Sequence, residues 1–237
     1  MRKPDAMLFD LWGTLISSRG FDPSRGHAAV LEISHNPRGA TLENVMQIGR
    51  RVVTALESRE DQSALEFTQS SLLRIIGDSL GISYPRGWEE TEWVFWQAAM
   101  EVNLIEGVRD LLSALSEQGM PMGVVSNSSF LAATLAKELE RQGVLSHFAF
   151  VISSADYGVR KPDPIIFEIA LRRLGLEPAQ VWFAGDTMSY DIEGARGAGL
   201  FPVAFNPRAR IPESDGEHAL VTRWEQLPAL FASGAGA

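Results

Sequence analysis

The sequence predicts an α/β protein, a doubly wound parallel sheet with a small all-helical cap as a second unit. Three observations predict it. A short apolar run, Ala6-Met7-Leu8-Phe9, ends abruptly at Asp10, the pattern of a strand buried on both faces of a parallel sheet. From Val108 onward, strand-like and helix-like segments alternate, the rhythm of βαβ units with right-handed crossovers. Between these, residues 16–104 carry three or four helical patterns and no convincing strand. The expected domains are therefore a core of residues 1–15 and 105–237 and a helical cap of residues 16–104.

Taken in order, Gly13-Thr14 turns the chain after the first strand. Thr41 with Asn44 opens a helix through about Ser58, its apolar Leu42, Val45, Ile48 and Val52 at helical spacing. A second helix is expected over 63–80, ending at Gly81, and a third over 89–102. The crossings at 16–19 and 103–106 are short enough to act as hinges. In the core the spacing predicts helix over 108–118, strand over 122–126, helix over 129–142 and strand over 148–153. Helix over 164–174, strand over 181–184, helix over 191–198 and strand over 201–205 follow. A last strand at 219–222 and a helix at 224–231 precede a Gly/Ala-rich tail. A helical insert after the first strand of such a sheet would fold over the strand tips, where open α/β sheets bind ligands.

Composition narrows the function. The 237 residues are 45% hydrophobic and 22% charged, enough for a sizeable core. A net charge of -9 with no basic run argues against nucleic-acid and anionic-membrane partners, which reward Lys/Arg stripes. With no cysteine there is no disulfide framework and no thiolate nucleophile. The N-terminal apolar stretch is too brief for a signal peptide or a membrane span. The expectation is a cytoplasmic protein with a small-molecule substrate; its oligomeric state is not encoded in any pattern found.

Four local features occur in order, each placed by this reading at the end of a strand. They are Phe9-Asp10-Leu11-Trp12-Gly13-Thr14-Leu15, then Val124-Val125-Ser126-Asn127, then Arg160-Lys161-Pro162, then Gly185-Asp186-Thr187-Met188-Ser189-Tyr190-Asp191. Singly, an Asp or Ser-Asn after a strand is an ordinary cap or turn signal. The last is more specific, because Gly194, Ala195, Ala198 and Gly199 let the following helix press on the sheet. Their joint occurrence in order is what carries weight.

Through these motifs the chain resembles the haloacid dehalogenase superfamily, with a Rossmann-like core and a helical cap after motif one. The resemblance covers residues 6 to about 232 and implies a role for each motif residue. Asp10 matches the nucleophile that forms a covalent aspartyl intermediate. Ser126, with Asn127 beside it, matches the motif-two hydroxyl that bonds the transferring group. Lys161 matches the motif-three cation, Asp186 the metal ligand and Asp191 its supporting carboxylate. The implied cofactor is Mg²⁺, held by Asp10, Asp186 and the carbonyl of Trp12. Elementary chemistry agrees, since a carboxylate is a modest nucleophile and needs an electrophile whose charge is neutralised. Mg²⁺ prefers hard oxygen ligands.

Trp12 departs from the phosphatase pattern, which has a second Asp there as general acid and base; Trp can be neither. The 2-haloacid dehalogenases have an aromatic residue at this place and use no metal, whereas Gly-Asp-x-x-x-x-Asp is the metal-binding form. The indole suits either a contact with the substrate or a plain packing role between core and cap. The first expectation is a Mg²⁺-dependent phosphatase of a small phosphorylated metabolite. Metal-free hydrolysis of a 2-haloacid and a catalytically weak phosphate-binding or regulatory protein are the alternatives.

Other residues read as structure. His27, His35, His147 and His218 are expected at surface or loop positions. Trp93, Trp96 and Met100 form a helical stripe suited to cap packing, and Trp182 belongs to the core. Arg19, Arg25 and Arg38 are expected in solvent.

Overall fold

The computed structural model describes residues 3–57, 66–212 and 216–233. Six parallel strands form one sheet: β1 (Ala6–Phe9), β4 (Met122–Ser126), β5 (Phe150–Ser153), β6 (Val181–Gly185), β7 (Phe201–Phe205) and β8 (Ala219–Val221). Their order is β5-β4-β1-β6-β7-β8. The chain fills one side of β1 and then the other, so β1 is the switch point of the doubly wound sheet. All four of its residues are fully buried, as a continuous apolar run requires. Side chains alternate between its faces. Met7 and Phe9 pack in one core layer with Trp182 and Trp224, while Ala6 and Leu8 pack in the other with Phe167 and Phe183.

The crossover helices are α5 (Val108–Glu117), α6 (Ala132–Arg141), α8 (Pro164–Leu174) and the short α9 (Glu193–Gly197), with a one-turn helix α7 (Ser154–Tyr157) after β5. A final α10 (Leu227–Ser233) packs on the core through Phe231, whose ring lies 5.4 Å from that of Trp182 on β6. Asp163 caps α8 and Pro164 opens it, a pairing of acceptor side chain and preset φ that starts helices well. The helix expected at 191–198 is shorter than foreseen, because its first two residues belong to a wider turn. A π-turn at Met188–Ile192 precedes α9.

Residues 16–104 depart from the sequence reading in one respect. Among the described residues they hold four helices, α1 (Pro23–Glu32), α2 (Leu42–Glu57), α3 (Gln69–Leu80) and α4 (Trp88–Ala99), but also two strands. Strands β2 (Ile16–Phe21) and β3 (Met100–Leu104) pair antiparallel, Ile16 with Leu104 and Ser18 with Val102. The expected hinges at 16–19 and 103–106 thus fall largely in a two-stranded ribbon, and the helix expected to reach 102 stops at Ala99. The two segments lie far apart in sequence and alternate weakly, so only their mutual ladder defines them as strands. The Thr41–Asn44 start holds: Thr41 N donates to Asn44 Oδ1 at 3.0 Å and Asn44 N to Thr41 Oγ1 at 3.3 Å. Helix α3 ends at Gly81, whose φ of 74° is the left-handed stop that glycine favours. The part of that expected helix before residue 66 lies outside the described residues.

Helix α4 packs on the core through two buried carboxylates. Glu92 accepts hydrogen bonds from Leu131 N (2.6 Å), Thr134 Oγ1 (2.8 Å) and Ser70 Oγ (2.9 Å). Glu138 on α6 accepts from Trp96 Nε1 (3.0 Å), Gln142 Nε2 (2.7 Å) and the Arg141 guanidinium. Each carboxylate is surrounded by donors, although at Glu92 burial still outweighs them and raises the carboxyl's pKa.

Candidate active site

The candidate site is assembled at the tips of β4, β1 and β6. Asp10 follows directly on β1, and its backbone N–H still bonds Ala184 O of β6 at 2.8 Å. That bond keeps the residue in the sheet's register while its carboxylate emerges at the tip. Burial leaves Asp10 6% exposed. Its Oδ1 accepts from Lys161 Nζ at 2.7 Å.

Lys161 is 1% exposed and its ammonium lies between two carboxylates, donating at 2.7 Å to Asp191 Oδ1 as well. It does not sit at a strand end as the motif order suggested. It arrives from the loop beyond α7, and Asn127 holds it there. Lys161 N donates to Asn127 Oδ1 at 2.7 Å, and Asn127 Nδ2 donates to Lys161 O at 2.9 Å. This reciprocal pair makes Asn127 a clamp on the lysine's backbone.

Asp191 is held by both oxygens. Oδ1 takes the lysine; Oδ2 accepts from Thr187 N at 3.0 Å and Asp186 N at 3.2 Å. The π-turn puts this carboxylate back over the end of β6, and Gly185 leaves room for it. A Cβ on Gly185 would meet the Asp191 Cβ at 2.4 Å. Gly13, at φ 76°, does the same for Asp186: a Cβ there would stand 2.2 Å from Asp186 Oδ2. Glycine at 13 therefore answers both to the turn and to the carboxylate beside it.

The electrostatics follow from the count of charges. Asp10, Asp186 and Asp191 offer carboxylate oxygens within 4.8 Å of one another, against one ammonium at contact distance. Were all three carboxylates ionised, one ammonium would leave two negative charges unbalanced. Burial, and then the neighbouring Asp191 and Asp186, push the Asp10 carboxyl up to about 7 although Lys161 pulls it down. Burial, then Asp191, raises Asp186 as well. Burial opposes charge on Lys161, but Asp10 and Asp191 outweigh it and hold the ammonium protonated. An all-oxygen cluster that would be short by two positive charges when ionised, with Asp186 bordering a cleft, fits a divalent hard cation.

Ser126, fully buried, ends β4 beside Asp10, and its hydroxyl makes only a 3.5 Å contact to Asn127 O. Trp12 is half-buried and its ring lies 5.6 Å from that of Trp96, which meets Phe130 edge-on at 4.8 Å. The indole therefore packs against an aromatic stack, and it also borders a cleft shared with Asp186. The structure brings Asp10, Lys161, Asp186 and Asp191 together, with Ser126, Asn127 and Trp12 around them.

Two expectations about histidine need correction. His27 and His218 are buried, at 4% and 5% exposure, instead of lying at the surface. His27 sits on α1 with its ring edge-on to Phe95 at 5.0 Å, and burial lowers its pKa to about 4. A lone histidine in an apolar helical stretch carries no spacing signal that would have revealed this. Trp96 and Trp182 are buried as expected, and Arg19, Arg25 and Arg38 are exposed. Sequence reasoning also passed over Arg208 and Arg210, which border the Asp186 cleft from the loop after β7. Their only advance signal was position after a strand of the parallel sheet.

Comparison with known proteins places this geometry. Residues 4–199 match the family described as haloacid dehalogenase-like hydrolase. A ribulose-1,5-bisphosphate 5-phosphatase of Halopiger xanaduensis is 28% identical over 85% of this chain and 84% of its own. The structure of a 2-haloacid dehalogenase from Pseudomonas syringae pv. Tomato superposes with a TM-score of 0.64 at 23% identity, over 99% of this chain and all of that one. A phosphatase structure from Thermococcus onnurineus gives 0.62 at 20% identity over 97% of each chain.

Proposed function

The chain belongs to the haloacid dehalogenase-like hydrolases, and within that family we propose that it is a Mg²⁺-dependent phosphatase of a small phosphorylated metabolite. The observation that carries this reading is the two-charge deficit of the Asp10–Asp186–Asp191 cluster around Lys161. A cluster meant to work without a cation would balance its charges. The 28% identity to a phosphatase over most of both chains supports the same choice.

Asp10, Asp186 and the carbonyl of Trp12 would hold the ion, which when bound supplies charge neutralisation for the phosphoryl group. The rest of the reading concerns the chain's own residues. An Asp10 oxygen attacks phosphorus; the new oxygen–phosphorus bond forms as the bond to the leaving oxygen breaks. Water then attacks the aspartyl-phosphate, releasing inorganic phosphate and restoring the carboxylate. Lys161 orients Asp10 and screens the phosphoryl oxygens, and Asp191 keeps that ammonium charged and in place. Ser126 donates its hydroxyl to the transferring group, and Asn127 fixes the loop carrying Lys161. Trp12 gives no proton to the leaving alkoxide, which must take one from solvent. The helices over 16–104 act as a cap on the core of 1–15 and 105–237.

Trp12 favours a second reading, hydrolysis of a 2-haloacid through an aspartyl ester. Halide leaves without a proton, so the missing acid would not matter. A panel of phosphorylated metabolites and 2-haloacids, each assayed with Mg²⁺ and with chelator, separates the two. Phosphate release that chelator abolishes and Mg²⁺ restores supports the phosphatase; halide release indifferent to chelator refutes it.

A further inference from the structure

The cleft beside the cluster has its own chemistry. It encloses about 530 Å³, within the size range of small-molecule sites, and is bordered by Trp12, Ser17, Ser18, Asp186, Arg208 and Arg210. Asp186 of the carboxylate cluster borders it, and so do two arginines. In a chain of net charge -9, two cations bordering one cleft are a local concentration of positive charge.

The loop presenting them is built rather than loose. Asn206, 6% exposed, folds its side chain under it. Its Oδ1 accepts from Arg210 N at 2.7 Å and Ile211 N at 3.1 Å, and its Nδ2 donates to Ile211 O at 2.7 Å. Asn206 N in turn bonds Val221 O of β8 at 2.8 Å, tying the loop to the sheet. Between the arginines, Ala209 has φ 52°, the one non-glycine residue in the left-handed region among the described residues. An alanine there is disfavoured, so the surrounding contacts must hold this backbone in place. Neither guanidinium has an ion-pair or hydrogen-bond partner among the described residues, whereas Arg25, Arg86, Arg141 and Arg196 each pair with a glutamate.

We propose that Arg208 and Arg210 form an anion subsite that grips a second negative group of the substrate while its phosphoryl group lies at Asp10. The ligand class is a small phosphate ester bearing a second phosphate or a carboxylate. Guanidinium forks match both groups with paired hydrogen bonds. The proposal rests on the phosphatase reading and adds to it what the rest of the substrate must look like. Trp12 and the two serines border the same cleft and suit the uncharged middle of such a molecule.

The test compares kcat/KM, with Mg²⁺, for fructose 1,6-bisphosphate, 3-phosphoglycerate and glucose 6-phosphate. The unaltered protein should prefer one or both doubly anionic substrates by at least about tenfold, since one charge-assisted hydrogen bond supports that much discrimination. Which of the two is preferred tells a second phosphate from a carboxylate. In the Arg208→Ala/Arg210→Ala double variant the preference should collapse towards one, mostly through KM, while Arg208→Lys/Arg210→Lys keeps part of it. No preference in the unaltered protein, or a preference the double variant retains, overturns the subsite. If no phosphate ester is turned over, the phosphatase reading fails by itself. Calorimetric titration with fructose 1,6-bisphosphate then decides the subsite: binding lost in the double variant upholds it, and binding that is absent or unaltered overturns it.

Discussion

Among the described residues, the seam of α4 with α6 and the strand tips both bury carboxylates, and they do so in opposite ways. At the seam between α4 and α6, Glu92 and Glu138 receive donors from backbone, hydroxyl, indole, amide and guanidinium groups. At the strand tips, Asp10 has a single donor among the described residues, Lys161, which it shares with Asp191. Burial of an acid is therefore no mark of a site. An acid buried beside others of the same sign, with too few donors, is a mark of one, because the deficit costs stability that only a bound ligand returns. The seam's hydrogen bonds hold the helices to the core; at the tips Asp191 is fully held while Asp10 is left short of donors.

The same chemical change should have opposite effects in the two places. Asp10→Asn removes the nucleophilic oxygen and one unbalanced charge. Turnover should fall by more than about 10³-fold while the thermal midpoint stays level or rises. A folded Asn variant with substantial activity would break the comparison at its strongest point.

Trp12→Asp should sharpen it next. A carboxylate beside Asp186 restores an acid for the leaving oxygen, help typically worth about 10²–10⁴-fold. Even an imperfectly placed one should raise turnover of alkyl phosphates with Mg²⁺, more than that of nitrophenyl phosphate, whose leaving group needs a proton least. The indole packs against Trp96, so a melt must first show the variant folded. Loss of haloacid turnover with no phosphatase gain would support the dehalogenase reading.

His27 gives the comparison a pH axis away from the tips. Burial lowers its pKa from 6.5 to about 4, so the folded state binds fewer protons than the unfolded state between those values. Stability should be indifferent to this group above pH 6.5, decline as pH falls towards 4, and level off below. The loss should reach at most about 3 kcal/mol. Urea titrations across that range should show the decline flattened in His27→Phe, and an unchanged profile would contradict the assignment.

The smallest effect is at the seam. Glu92→Gln keeps the shape but replaces one acceptor oxygen with a donor facing other donors. Unfolding free energy should drop by about 1–3 kcal/mol, with kcat much less affected than in Asp10→Asn. A large loss of kcat at unchanged stability would mean that the seam takes part in chemistry.

Much of this division is legible in the sequence. The sheet was readable because each core strand is a run such as Ala6–Phe9 or Val181–Gly185, buried on both faces and ended by a turn or cap residue. The site was readable because its acids sit at fixed offsets from those strand ends. The ribbon of β2 and β3 was not, since segments separated by four helices define each other only by pairing. Helix α1 did have a local signal, Asp22 before Pro23, and Asp22 Oδ1 indeed accepts from Ser24 N at 2.9 Å. The seam carboxylates and His27 left no trace because burial of a single polar residue on a helix is decided by what packs against it. Lys161 was readable as a residue and misplaced as an element, because its position depends on Asn127 across the site.

The central claim is that the charge-deficient cluster makes Asp10 a phosphoryl acceptor. It is tested most directly by acid-quenching the protein during turnover of a phosphate ester and locating modified residues by peptide mass spectrometry. The account predicts a phosphoryl group on the peptide containing Asp10 when Mg²⁺ is present, none with chelator and none in Asp10→Asn. Turnover of the ester with no adduct at Asp10 would contradict it, as would an ester adduct formed there from a 2-haloacid in the presence of chelator.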